Sequence, residues 1–396
     1  MWRLGFFFHE MAFGLLSVFL PLHVIGVGGS LVDIGIMSAS ALFLAIPFSL
    51  FWGYICDKTR HYKRYILISF LALTVILYFF TLTTSVGLLI VLYALMSIFH
   101  VAHESPKNVL VAELYSREEW EKAFAFYEGF TETGWLIGLL LGFFMSIYGF
   151  GAASTLLLCS ILNLVAFITS LVLVTDPLLI FERGLVSIEK TIDFAYKGMI
   201  IASKILDGVS VRERLKKENL HAFGSGLILF SLAASTLFTP LPVFISKITG
   251  GSSLVFAVYL LNSGGGAAGY FLAGSKSGQL GGKTNISKIV IFRSFLAFLL
   301  IAVAQIPLYN IVLVAVILIP MCFAYAFFLV CTLSISMELI PQGKAGLFNV
   351  LIGIGGACGA FVGPFIAQAF GFTYVFLTAG LIFFLSYVCF KTFAQD

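Results

Sequence analysis

The sequence predicts an all-α membrane protein, with twelve transmembrane helices in two pseudo-symmetric six-helix bundles. Three observations predict it. The first is composition: 60% of the residues are hydrophobic and only 11% are charged. A soluble domain carries roughly 25% charged residues, so the main solvent of this chain must be lipid. The second is a series of long apolar runs, and the third is a set of motifs that recurs in the same order in each half. The net charge of +4 is small and points to no nucleic-acid partner.

The apolar runs lie near 5–27, 34–56, 65–83, 87–112, 122–147 and 152–175, then near 221–246, 253–275, 287–306, 310–337, 343–369 and 373–391. Each approaches or exceeds the about 20 residues that a spanning helix needs. A membrane-crossing strand would need only about 10, with alternating polarity. Three units follow: a first bundle over 1–175, a linker over 176–220 and a second bundle over 221–396.

The first run is long enough to span and has no small-residue cleavage pattern after a short core, so it reads as a helix rather than a signal. It carries His9, Glu10 and Pro21. After the second run comes a basic cluster, Lys58, Arg60, Lys63 and Arg64. Arg3, Arg117, Lys122, eight basic residues in 176–220, Lys276, Lys283, Lys288, Lys344 and Lys391 fall on the same side, while the opposite side has only Lys247. The positive-inside bias then places both termini in the cytoplasm of a multi-pass cell-membrane protein.

The fourth run holds His100, Glu104 and Lys107 at i, i+4 and i+7, with His103 beside them, so they share one helix face. Glu128, Glu132 and Trp135 form a similar stripe in the fifth. An ionisable group in the bilayer costs about 2.5–3.5 kcal/mol on insertion scales, so each needs a reason. One reading makes His9, Glu10, His100, His103, Glu104, Lys107, Glu128 and Glu132 a substrate and proton-coupling site. The other makes them a static ion-pair network bracing the inner mouth, since Glu104 and Glu128 lie in the cytoplasmic half of their helices and Lys107 can reach toward the headgroups. Both stay open. The second half contrasts: its spans contain essentially Arg293, with Glu338 at a helix end.

Gly134, Gly138 and Gly142 in the fifth run, and Gly355, Gly359 and Gly363 in the eleventh, are spaced by four. Small residues at that spacing let helix backbones approach closely. Packing alone accounts for them, and a sliding contact between the halves is the functional addition. Between the halves, Ile188, Ile192, Ala195 and Met199 recur at helical spacing among charges. This predicts one or two amphipathic helices on the cytoplasmic membrane face. Of six cysteines, all but Cys56 lie within runs, which argues against disulfides and shows no metal-ligand spacing. No Gly-rich loop ending in Gly-Lys-Ser/Thr is present, so ATP hydrolysis is not expected.

The repeats are specific. Phe19-Leu20-Pro21-Leu22 matches Phe238-Thr239-Pro240-Leu241, and Gly28-Gly29-Ser30 matches Gly250-Gly251-Ser252. The glycine stripes match each other, and Glu113-Leu114 matches Glu338-Leu339. Matches in equivalent runs and in one order point to duplication in parallel orientation, a repeat that transporters use.

Gly53-Tyr-Ile-Cys-Asp57-Lys58-Thr-Arg60-His-Tyr-Lys63-Arg64 resembles the loop 2–3 signature of the major facilitator superfamily, with Arg60 where a second glycine is usual. The run from Glu338 and Pro341 through Gly346, Asn349 and Gly359 to Gly363-Pro364 resembles that family's tenth-to-eleventh-helix segment. The resemblance implies a monomeric secondary active transporter that moves a small organic solute by alternating access. It also implies a cytoplasmic gate of Gly53, Asp57, Lys58, Arg60, Arg64, Glu113 and Glu338. Asp57 would face the start of the eleventh helix, where a carboxylate is favoured. Ordinary positive-inside chemistry is the alternative for Arg60 and Arg64. Protons are the expected coupling partner and no cofactor is implied. An acidic first half and an apolar, Phe-rich second half suit an amphipathic or cationic solute and hence export; a sugar or carboxylate importer stays open. Two other classes compete. A membrane-embedded enzyme would use the His/Glu cluster for group transfer but leaves the duplication unexplained. A non-transporting sensor would act through 176–220.

Overall fold

The computed structural model describes residues 2–114, 120–176, 220–275, 283–305, 310–339 and 346–395. The linker at 177–219 lies outside the described residues, as do 115–119 and 340–345. Every regular element among the described residues is helical, and twelve helices are long and apolar enough to cross a membrane.

In chain order the spans are Leu4–Gly26, Leu31–Thr59, Tyr62–Phe80, a broken fourth span, Trp120–Ile147 and Ala152–Leu173. A broken seventh span follows, then Ser252–Ser275, Lys283–Gln305, Asn310–Leu339, Gly346–Ala369 and Phe372–Gln395. The second span begins at Leu31 rather than at 34 because Ser30 and Asp33 form a capping box. The Asp33 backbone N–H donates to Ser30 Oγ at 3.2 Å, and the Ser30 N–H donates to Asp33 Oδ2 at 2.7 Å, which satisfies donors that a helix start leaves bare.

The two breaks have different causes. The seventh span runs Leu220–Phe238, stops, and restarts as Leu241–Thr249 with Pro240 at its N-cap. Proline cannot donate a backbone hydrogen bond and clashes with the preceding turn. Pro21, its counterpart in the repeat, lies inside a continuous helix. The fourth span runs Val86–His100, tightens into a 3₁₀ turn over Val101–His103 and resumes as Glu104–Leu114. The sequence reading had one continuous helix there.

Packing repeats between the halves. The first span packs on the fifth and sixth, the second on the fourth, and the third on the fourth and sixth. In the second half the seventh packs on the eleventh and twelfth, the eighth on the tenth, and the ninth on the tenth and twelfth. The same rule, moved on by six spans, covers both sets. The sixth span buries Leu156, Cys159, Asn163, Ala166 and Ser170; the twelfth buries Phe376, Ala379, Phe383, Ser386 and Phe390 at the same intervals.

Two seams join the halves: the fifth span against the eighth, and the second against the eleventh. The first runs from Gly142 against Phe256 to Gly129 against Phe271 and Gly274 against Ala125. The second includes Gly35 against Pro364 and Gly353 against Ile46, and Val32 N–H donates to Gln368 Oε1 at 3.0 Å. The glycine stripes do not form these seams. A Cβ on Gly134 or Gly138 would strike the carbonyl of Phe7 or Met11 in the first span. One on Gly355, Gly359 or Gly363 would strike the carbonyl of Ile228, Leu232 or Thr236 in the seventh. Only Gly142, against Phe256, touches the other half. The stripes therefore lock each half internally. Large apolar side chains such as Phe43, Val91, Val172, Phe295 and Val316 stay exposed on the outside of the bundle, as a lipid solvent requires.

Candidate functional site

The ionisable residues of the first half converge where the first, fourth and fifth spans meet. The 3₁₀ turn is what gathers the histidines. Such a turn has three residues per revolution, so side chains at i and i+3 eclipse. His100 and His103 therefore point the same way, ring centroids 4.9 Å apart, and both meet His9 of the first span.

His9 is fully buried. Its Nδ1 lies 2.8 Å from Asn163 Oδ1, and Asn163 Nδ2 donates to the Cys159 carbonyl at 3.0 Å. With the amide fixed that way, Oδ1 accepts and His9 Nδ1 carries the proton. His9 Nε2 then faces His100 Nδ1 at 3.2 Å. His103, also buried, has Nδ1 at 3.1 Å from Ser69 Oγ and Nε2 at 3.4 Å from Glu104 Oε1. Phe6, Phe13 and Phe70 pack around the three imidazoles.

Charge takes over one turn further along. Lys107 Nζ sits 2.7 Å from Glu104 Oε2, 3.8 Å from Glu128 Oε1 and 5.3 Å from the centre of the Tyr127 ring. Glu104 and Glu128 are 32% and 29% exposed, whereas His9 is fully buried. Glu10 is within electrostatic reach of Glu104, Lys107, Glu128 and Glu132. Glu132, a turn beyond Glu128, leaves the group: its Oε1 accepts from Ser263 Oγ of the eighth span at 2.6 Å. The structure thus brings the eight predicted residues of the first half together, but splits them into a histidine trio with His9 and His103 buried, an ion-paired group of Glu104, Lys107 and Glu128 with Glu10 nearby, and one carboxylate on the seam between halves.

The expected gate residues are described only in part. The side chains of Asp57, Glu113 and Glu338 lie outside the described residues. Lys58 lies over the Tyr54 ring at 5.9 Å, and Arg64 is exposed. Among the described residues a Cβ on Gly53 would meet only Ser105 Oγ at 3.8 Å, and no close backbone approach requires that glycine. Arg60 caps the second span in a left-handed conformation, φ 57°, with its N–H on the Cys56 carbonyl. That is the conformation glycine adopts most readily, which explains the family's preference at this position. A groove of about 490 Å³ lined by His61, Lys63, Arg64, Leu67, Phe167 and Asp176 lies at the periphery between the third and sixth spans, apart from the ionisable cluster.

Sequence reasoning missed Asn163, Ser69 and Ser263. Each is a lone neutral polar residue in an apolar run, and the cost of an unpaired polar group in lipid was the available signal. Arg293 was visible, but its setting was not. It is 1% exposed, ringed by Phe230 at 4.9 Å, Phe383 at 5.1 Å, Tyr325 at 5.3 Å and Phe238 at 5.9 Å. Its Nε and Nη1 have no hydrogen-bond partner among the described residues. Phe383 stands at the repeat position of Asn163, and Tyr325 at that of His100 when Glu113 is aligned with Glu338. The second half thus carries an aromatic cage where the first carries imidazoles.

Solved structures share this architecture along the whole chain. A point mutant of the nucleoside transporter NupG superposes with a TM-score of 0.72 at 12% identity, covering 99% of this chain and 98% of that one. The human organic anion transporter MFSD10 (TETRAN) gives 0.69 at 16% identity, covering 98% and 97%. NupG itself gives 0.67 at 13% identity, covering 100% and 98%. Identities this low carry the fold alone. No curated protein matches the chain. The model of the Major Facilitator Superfamily matches residues 4–352. Twelve spans, a six-plus-six packing repeat and a family match over most of the length lead to one conclusion: this chain is a transporter-fold membrane protein that belongs to the major facilitator superfamily.

Proposed function

We propose that the protein is a secondary active transporter of the cell membrane, a monomer with both termini cytoplasmic, moving a small organic solute by alternating access coupled to protons. One observation carries the reading: the Glu132 carboxylate reaches across the boundary between the halves to Ser263 Oγ. A carboxylate bound this way accepts a charge-assisted hydrogen bond when ionised and a weaker one when it takes a proton, since the neutral acid keeps its carbonyl acceptor. Protonation is thereby linked to the state of the seam, and a ligand shifts a conformational equilibrium only through such a difference between states. The groups facing Glu132 include Ser263, Gly266 and Tyr270 of the eighth span, Cys322 and Tyr325 of the tenth, Glu128 on its own helix, and Glu10 of the first span. No cation on these elements pairs with Glu132 among the described residues.

The solute reading rests on composition and on relatives. The nucleoside and organic anion carriers of the same fold support a polar organic solute. The apolar second half favours an amphipathic one and outward movement. The test is flux into proteoliposomes under an imposed pH gradient, with nucleosides, organic anions, lipophilic cations, sugars and amino acids as candidates. Gradient-driven accumulation of one class, lost in Glu132→Gln while solute exchange persists, is the expected result. Accumulation that proceeds equally in Glu132→Gln overturns proton coupling through this residue.

A further inference from the structure

We propose that His9, His100 and His103, completed by Glu104, form a binding site for one divalent transition-metal ion of the zinc class inside the first half. The donor atoms of the three histidines all lie within 4.8 Å of one another. Two of the edges already have the spacing a tetrahedral ion needs. Zinc binds imidazole nitrogen at about 2.0–2.1 Å, so two ligands at the tetrahedral angle stand about 3.4 Å apart. His9 Nε2 and His100 Nδ1 are 3.2 Å apart, and His103 Nε2 and Glu104 Oε1 are 3.4 Å apart. The remaining donor distances, up to 4.8 Å among the histidines, have to shorten on binding.

The outer contacts are those of a metal site. A ligating histidine usually donates its other ring N–H to an oxygen, which fixes tautomer and orientation. His9 does so through Nδ1 to Asn163 Oδ1, and Asn163 is itself held by the Cys159 carbonyl. This leaves the His9 Nε2 lone pair directed at the other two rings. His103 Nδ1 has Ser69 Oγ in the equivalent place, leaving Nε2 for the ion. Glu104 and Glu128 put negative charge beside the site, shared with Lys107, which holds the Glu104 oxygen that is not required.

A second observation is independent of these distances. The fourth span departs from α-helical geometry at Val101–His103, the segment between the two histidines it contributes. A 3₁₀ stretch inside a helix marks strain or function, and here its effect is to eclipse His100 and His103. Three nitrogens and one carboxylate oxygen select zinc, cobalt, nickel or copper over magnesium or calcium, which take oxygen ligands. An ion there ties the first span to the fourth across the break. The proposal does not depend on the transport reading, because its test measures binding.

The experiment is cobalt titration of the full-length protein, purified on a histidine-free tag and stripped with chelator. The expected result is one Co²⁺ per chain with the visible absorption of a tetrahedral site, displaced by Zn²⁺. His100→Ala and His103→Ala should each abolish that absorption, while His23→Ala, at the far end of the first span, keeps it. Asn163→Ala should weaken affinity about 10–100-fold by freeing a ligand's orientation. Each variant is scored only when size-exclusion elution and metal-free melting show it folded. No stoichiometric cobalt uptake by the folded native protein overturns the proposal, as does uptake that survives both histidine changes.

Discussion

Glu132 and Ser263 belong to opposite halves of the molecule and meet at 2.6 Å on the seam between the fifth and eighth spans. Hydrogen bonds to charged groups contribute about 1.5–3 kcal/mol. Ser263→Ala is therefore expected to lower unfolding stability in detergent by about 1–3 kcal/mol, with Glu132→Gln falling less because an amide still accepts. Thermal melting of the two variants checks this. An unchanged melt in Ser263→Ala would show that the bond contributes nothing to the folded ground state.

The glycine stripes make a sharper prediction because a control sits beside them. A Cβ at Gly138 or Gly359 would collide with the carbonyl of Met11 or Leu232, whereas at Gly264 it would touch only Leu136 at 3.7 Å. Overpacking of a tight contact costs about 1–3 kcal/mol. Gly138→Ala and Gly359→Ala should each lose that much, and Gly264→Ala should stay close to native. The same melting assay compares all three.

Arg293 is expected to behave in the opposite sense. A buried charge with no carboxylate partner among the described residues keeps the cost of leaving water, and cation–π contacts return only part of it, up to about 2 kcal/mol when desolvated. Arg293→Met should be at least as stable as the native protein. A clear fall in melting temperature would mean that a partner beyond the described residues holds the guanidinium.

Asn163 is buried and pairs with His9. Asn163→Leu leaves the His9 Nδ1 donor unsatisfied, which costs about 1–3 kcal/mol, while Cys159, whose carbonyl also loses a partner, keeps its helical environment. Measured as melting temperature without metal, the loss should largely disappear when His9 is changed to Leu in the same chain. A double variant as unstable as the sum of the singles would contradict the pairing.

Much of the fold was legible because lipid permits few solutions. Backbone groups must be satisfied within each segment, so long apolar runs could be read as helices, and duplicated motifs such as Phe19–Pro21 and Phe238–Pro240 gave the halves. The site was legible only in its membership. The i, i+4, i+7 spacing selected His100, Glu104 and Lys107 with His103 beside them, but it assumed an unbroken helix where the structure has a 3₁₀ turn at Val101–His103. The stripe spacing of Gly134, Gly138 and Gly142 showed that something packs closely. It could not show that the partner is the first span of the same half. The period of a helix could place Asn163 and Ser263 on a buried face but not name their partners, each more than a hundred residues away.

Arg60, at φ 57° on the end of the second span, shows that a family signature can mix two kinds of information. The usual glycine there records an angle of the main chain, not a chemical group. An angle can survive the loss of the residue that favours it, at a strain of about 1–2 kcal/mol. The basic side chain at this turn is then an addition to the signature rather than a defect in it. A comparison by residue letter alone would score a mismatch here, although the backbone angle is one that glycine favours.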